Sequence, residues 1–511
     1  MPGSESVKYI VGGNGAAAKP PTLEDLVHLN PYIAAQIMSG RKTVALLRTS
    51  KSIQHAVQHA NVVVKANYNH KFRDGDELLM KLNNLSQRCN IKVLCLQSCN
   101  MQKSMGKALA SFLLTYHELT SLDVGQNNLG VEGARPLAEA LCRNTTLTDF
   151  SIGSNELWCE AGLDSTLLEN TTLKTLDLSF NGMGVEASEK LAAALLRNTT
   201  LTAINMANNK VGNNFEDSDE DIDEDIDEDI GEAAGCEWVN VLRESTTLRS
   251  LDLSMNRLGD KVGHKLADAL LVNTTLTELN IGSNKLSAKA VLGLQSALRQ
   301  NRVLKALDIS GNNEMLNKNF EESVKFFDAL GSNDTLLSLN LHETYLWDQN
   351  VEALAKALRA NTALQSIDLS ETQLKENDVL VLAPAFGLNN ALTSLSLKDN
   401  ELNARSVKAL ADALAINTTL RLLNLSNIDI DTDEMKCLAN ALQKNSTLTC
   451  IDLTENDVGP PGAWALISAL RVNTALKSLH ITPRAIPEKY RLELEQVCKE
   501  RGVSYNTHSL D

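Results

Sequence analysis

The apolar positions of this chain keep one rhythm for most of its length. In TLKTLDLSFN, residues 172–181, Leu173, Leu176 and Leu178 stand in a polar background. The alternation of Leu176 and Leu178 with polar neighbours predicts a short strand that buries one face. Asn181 closes that strand, as Asn127, Asn155, Asn209, Asn256, Asn284, Asn312, Asn400 and Asn456 close others. A side-chain amide at such a place both donates and accepts, so it satisfies the backbone groups of a turning chain. The text that follows, KLAAALLRN, sets Leu191 and Leu195 four apart with alanines between them. That is the spacing of one helix face, and it recurs at Leu137/Leu141, Leu266/Leu270, Leu354/Leu358, Leu410/Leu414 and Leu466/Leu470.

The whole phrase L-x-x-L-x-L-x-x-N starts at Ile91, Leu119, Leu147, Leu173, Leu201, Leu248, Leu276, Leu304, Leu336, Leu364, Leu392, Leu420, Leu448 and Leu476. Most steps are 28 residues; one is 26, one 32 and one 47. Fourteen strand–loop–helix units follow from this period, none able to bury its leucines alone. Neighbouring strands lie about 4.8 Å apart and packed helices about 8–10 Å apart, so such a stack curves. The expectation is an α/β solenoid, a horseshoe with a parallel sheet on its concave side and helices on its convex side.

LDLSFNGMGVEASEKLAAALLRNTTL and LNIGSNKLSAKAVLGLQSALRQN resemble the leucine-rich repeats of the ribonuclease-inhibitor class. That group includes ribonuclease inhibitor, the sensing regions of nucleotide-binding immune receptors and the Ran GTPase-activating protein. The resemblance covers about residues 91–482 and implies a scaffold that binds macromolecules, with GTPase activation as a narrower implication. In the Ran regulator the acidic segment follows the repeats, whereas the acid run here interrupts them.

Before the repeats, residues 1–20 are Gly/Ala-rich and read as a flexible N-terminus, and residues 21–90 as a helical cap. Gly13, Gly15 and Ala18 spell G-x-G-x-x-A, but Pro20 and Pro21 stop any helix that would present a phosphate site. LNPYIAAQIMSGRKTVALLRTSKSIQHAV is similar to an F-box, with Leu29, Pro31, Ile33, Ile37, Leu46 and Ile53 at adaptor-docking positions. That likeness implies a Skp-type adaptor as partner and a role as substrate receptor of a cullin ubiquitin ligase. Tyr32 stands where an acidic residue is usual, and Ile53 where tryptophan is usual. The alternative is a plain cap over the first repeat's leucines, and both readings stay open. Residues 483–511 read as a polar capping helix and tail.

Charge changes the picture in one place. The net charge is −16, and eleven acids fall between residues 216 and 229: Glu216, Asp217, Asp219, Glu220, Asp221, Asp223, Glu224, Asp225, Asp227, Glu228 and Asp229. The step from Leu201 to Leu248 is 47 residues, so residues 213–231 form an inserted acidic loop between the strand and helix of one repeat. Three readings apply: a solvated spacer, an arm steering partners with basic surfaces, or an EF-hand-like calcium register from Asp217 to Glu228 in which Ile222 replaces the needed glycine. Ser218, followed by Asp-Glu-Asp, suits an acidophilic kinase. No basic patch supports nucleic-acid binding, and no apolar run reaches the roughly 20 residues of a membrane span. Nine scattered cysteines and an N-terminus lacking an apolar signal region predict a reducing, cytoplasmic setting, with delivery into a host cell left open.

Candidate chemistry is sparse. Asp123, Asp177, Asp252, Asp308, Asp368 and Asp452 recur one per strand within the repeat phrase and read as a solvated ladder. No catalytic grouping, metal-ligand spacing or cofactor motif stands outside the repeat, so no enzyme, metal or cofactor is expected. The N-T-T tripeptides at Asn144, Asn170, Asn198, Asn273 and Asn417 read as turn chemistry. Departures from the repeat point to a protein partner instead. Phe320, Phe326, Phe327, Tyr345 and Trp347 place five of the chain's twenty aromatics within 28 residues, and Thr344 replaces the ladder asparagine. Phe326 and Phe327 also fit a core role beneath a longer helix. The expected contact residues are His342, Tyr345, Trp347, Trp158, Phe180 and Met255.

Overall fold

The structure, a computed structural model, describes residues 9–11, 61–65, 72–87, 89–159, 161–212, 228–313, 315–316, 320–482 and 486–509. The adaptor-docking candidates Leu29, Pro31, Ile33, Ile37, Leu46 and Ile53 lie outside them, as do Ser218 and the acids from Glu216 to Asp227. The chain divides into two compact units, Met1–Asn256 and Arg257–Asp511. Both are α/β stacks of strand–loop–helix repeats.

In the first unit the strands Asn61–Lys65, Asn90–Cys95, Ser121–Asp123, Asp149–Ser151, Thr175–Asp177, Ala203–Asn205 and Ser250–Asp252 pair in parallel, each with the next in sequence. Register places Leu94, Leu122, Phe150, Leu176, Ile204 and Leu251 in one column. Every side chain in that column is at most 2% exposed. Each leucine so buried contributes roughly 1.5–3 kcal/mol relative to exposure. The second unit repeats the plan from Glu278–Asn280 to Ser478–His480, with Leu279, Leu307, Leu339, Ile367, Leu395, Leu423, Ile451 and Leu479 in register.

Two ladders of asparagine lock successive repeats together. Asn181 Nδ2 donates to Leu178 O (2.9 Å) and Ser179 O (3.3 Å) of its own loop, and to Ile152 O (3.1 Å) of the repeat before. Its Oδ1 accepts the Asn155 N–H at 2.9 Å. The second ladder lies at helix C-termini, where the N-T-T tripeptides fall. Asn170 Oδ1 accepts the N–H groups of Thr172 (2.9 Å) and Leu173 (2.8 Å), and its Nδ2 donates to Leu141 O (2.6 Å) and Asn144 O (3.1 Å) of the preceding helix end. The last carbonyls of a helix have no partner within it, and here the next repeat supplies one.

The ends differ from expectation. The cap is not wholly helical: Asn61–Lys65 is a strand, followed by the helix Gly75–Ser86, so one more strand–helix unit precedes the first full phrase. The three consecutive β-branched valines of NVVVK favour this pairing over a helix. Within the segment expected to be flexible, Tyr9–Val11 pairs antiparallel with Val62–Val64. At the other end the helix Glu488–Arg501 is followed by a further parallel strand, Ser504–Asn506, beside Ser478–His480. The expected acidic loop 213–231 also ends early, because Glu228 and Asp229 open the helix Glu228–Glu244. Acidic residues are favoured there by the helix dipole. No described helix is long and apolar enough to cross a membrane.

Candidate functional site

The strand-to-helix loops carry the side chains that depart from the repeat. The residue before each ladder position adopts left-handed backbone: φ is 55° at Phe180, 57° at Met255, 53° at Glu343 and Glu371, and 55° at Asp399. Its N–H extends the sheet's hydrogen bonding into the loop, as from Phe180 to Ala207 O (2.8 Å) and from Glu343 to Ser370 O (3.0 Å). The chain then turns, and the side chain faces solvent. Phe180 is 48% exposed and Met255 45%.

On the first unit Trp158 is 63% exposed. It belongs to the repeat shortened to 26 residues, whose helix Leu163–Glu169 has only seven residues. The indole rests against the next repeat's loop, and a Cβ at Gly182 would lie 3.0 Å from Trp158 Cζ3. The inner face of this unit is an open groove of about 360 Å³ with small polar side chains. Its aspartates Asp123, Asp177 and Asp252 line this groove half-buried. Asp123 Oδ1 accepts the Gly125 N–H at 2.9 Å, and Asp177 Oδ1 accepts that of Ser179 at 3.0 Å. In the second unit Asp308, Asp368 and Asp452 receive Ser310, Ser370 and Thr454 in the same way. The carboxylate of the repeat phrase closes the loop that follows its strand.

The second unit holds the more specific feature. Asn313, Glu343, Tyr345, Glu371, Gln373 and Asp399 line an open cavity of about 420 Å³ on four successive loops. His342 flanks it, with Nε2 3.9 Å from Glu371 Oε1. Tyr345 is half-buried in the wall, while Trp347 is 53% exposed where the helix Asp348–Ala360 begins. The structure thus brings His342 and Tyr345 to one place and leaves Trp347 open to contact. Phe326 and Phe327 take the core role, fully buried edge to face at 5.4 Å.

Reading the sequence linearly misses Glu343, Glu371, Gln373 and Asp399. Aligning the repeats by column finds them, because each falls on one of two loop positions that in earlier repeats hold residues such as Ser283 and Lys285. It also misses Trp464, 48% exposed on the helix Gly459–Val472 with the Arg471 guanidinium 5.8 Å from its ring.

Comparisons with known proteins bear on the repeats. A profile described as Leucine Rich repeat matches residues 117–138, 169–192, 197–214, 244–266, 272–294, 388–411 and 444–466. The NACHT, LRR and PYD domains-containing protein 13 of Homo sapiens is 30% identical over 181 residues, 34% of this chain and 15% of that protein. Ribonuclease inhibitor of Sus scrofa is 26% identical over 182 residues, 35% of this chain and 36% of the inhibitor. The alignments therefore span about a third of this chain, 15% of the first relative and 36% of the second. Among solved structures, a chain of the Rad7 and Elc1 complex in yeast aligns at a TM-score of 0.45 and 15% identity, covering 75% of this chain and 82% of that one. The leucine-rich repeat-containing protein LegL7 from Legionella pneumophila aligns at 0.39 and 20%, covering 65% and 90%.

Proposed function

We propose that this leucine-rich repeat protein of the ribonuclease-inhibitor class is a scaffold that holds a protein partner on the loop edge of its second unit, with Tyr345 and Trp347 as anchors. Leucine-rich repeat proteins generally mediate protein–protein interaction, and a stack of near-identical units distinguishes partners at the places where units differ. The observation that carries the reading is Trp347, 53% exposed beside an open cavity that Tyr345 helps to line. Large aromatic side chains that lose water on association dominate binding energies, typically at about 2 kcal/mol or more each when truncated. The carboxylates of Glu343, Glu371 and Asp399 around them favour a partner with a basic surface, and the acidic segment 213–231 supports the same preference at longer range.

The test is affinity capture with quantitative mass spectrometry, comparing the native chain with Tyr345→Ala/Trp347→Ala. Loss of the main captured proteins with an unchanged melting transition is expected. Equal capture by both chains overturns the assignment.

A further inference from the structure

We infer that His342, Glu343 and Glu371 bind one first-row transition-metal ion of the zinc class. One ligand atom from each side chain lies within 4.8 Å of the other two. The assignment goes beyond the partner-binding reading: it shares Glu343 and Glu371 with it but not the anchors Tyr345 and Trp347, so each can fail without the other.

Register assembles the group. Ser338–Asn340 pairs in parallel with Ser366–Asp368, which brings Glu343 and Glu371, 28 residues apart, to the same loop position on adjacent repeats. Each backbone is fixed before any ion arrives. The His342 N–H donates to Asn340 Oδ1 at 2.9 Å, and its carbonyl accepts from Gly311 N at 2.8 Å. The N–H groups of Glu343 and Glu371 donate to Ser370 O and Lys398 O, both at 3.0 Å. Binding therefore orders three side-chain ends rather than a loop, which lowers the conformational cost of closing the site.

His342 Nε2 is 3.9 Å from Glu371 Oε1, longer than a hydrogen bond. Lys398, on the next repeat, lies 3.9 Å from Asp399. Two carboxylates and an imidazole converge within 4.8 Å of one another. One nitrogen and two oxygens suit zinc, cobalt or manganese, whereas calcium prefers six to eight oxygens. Three protein ligands leave at least one coordination position open toward the cavity.

Cobalt(II) titration of the full-length chain, followed by visible absorption, tests this. One equivalent should bind with a nitrogen–oxygen spectrum free of thiolate-to-metal charge transfer, which separates the site from the chain's nine cysteines, and zinc should displace it. His342→Ala and Glu371→Gln should each weaken binding about 10-fold or more. Their melting transitions without metal should match the native chain's; if one variant is destabilised, the other carries the test. A thiolate band on the bound ion, no saturation at one equivalent, or undiminished binding by a variant that folds overturns the assignment.

Discussion

Trp238 Nε1–H donates to Ser188 Oγ at 2.7 Å, and both side chains are fully buried. The two lie 50 residues apart because the acidic insertion falls between them, yet they meet as neighbouring helices do elsewhere in the stack. Ser188→Ala leaves a buried N–H without an acceptor and should lower unfolding free energy by about 1–3 kcal/mol. In a Trp238→Phe background no such N–H remains, so the same substitution should cost distinctly less. Denaturant unfolding of the native chain, both single variants and the double variant reads the difference. Equal costs in the two backgrounds would show that the bond contributes nothing.

Gly182 has φ +60°, and the Trp158 ring occupies the space its missing Cβ leaves. Gly182→Ala should cost about 1–2 kcal/mol from the left-handed backbone. It should also push the indole off the loop, shifting the Trp158 contribution to tryptophan fluorescence. Gly130, equally left-handed but with nothing within 4 Å of an added Cβ, is the control: its alanine variant should lose comparable stability and leave the emission unchanged.

Burial pushes the Glu434 carboxyl above its ordinary value of 4.5, and Asp431 beside it adds to the shift. Asp431, accepting a hydrogen bond from Glu434, is held below 3.8. A raised folded-state value means that the folded chain holds this proton more tightly than the unfolded one. Glu434's contribution is thus fully present below 4.5 and is lost as pH rises through the folded value. Glu434→Gln removes that titration while keeping a donor toward Asp431. Melting temperatures measured from below 4.5 up to neutrality should rise for the variant relative to the native chain, and a gap constant with pH would refute the assignment.

Most of this fold is legible from periodicity, because a strand that buries alternate leucines and a helix that buries every fourth leave their spacing in the text. Leu176 and Leu191 announce their roles locally. Asn61–Lys65 does not, since NVVVK carries none of the phrase and is defined by pairing with its neighbour. The site was half legible. Tyr345 and Trp347 break a rule within one repeat, which a linear reading detects. Glu343 and Glu371 become neighbours only through register, and Asp399 joins them from a third repeat, so their proximity exists across repeats and never within one. The aspartates of the repeat phrase also carry a role that composition does not display: each accepts an N–H two residues onward, as Asp123 does from Gly125 and Asp177 from Ser179.

The asparagine ladders also bear on how such a chain changes length. Asn456 Nδ2 reaches Leu425 O of the repeat before it at 2.8 Å, and Asn400 Nδ2 reaches Leu369 O at the same distance. Each bond spans 31 residues of sequence, a fixed offset from the 28-residue period. Unequal recombination that removes residues 420–447 would set Asn456 where Ile428 now stands and deliver its amide to Leu397 O, so every bond of the ladder finds a chemically equivalent acceptor. Loss of 27 residues would instead shift leucine onto the polar face throughout the junction. Whole repeats can therefore be gained or lost with the ladder intact, while the steps of 26, 32 and 47 residues place their length changes between a strand's end and the next strand.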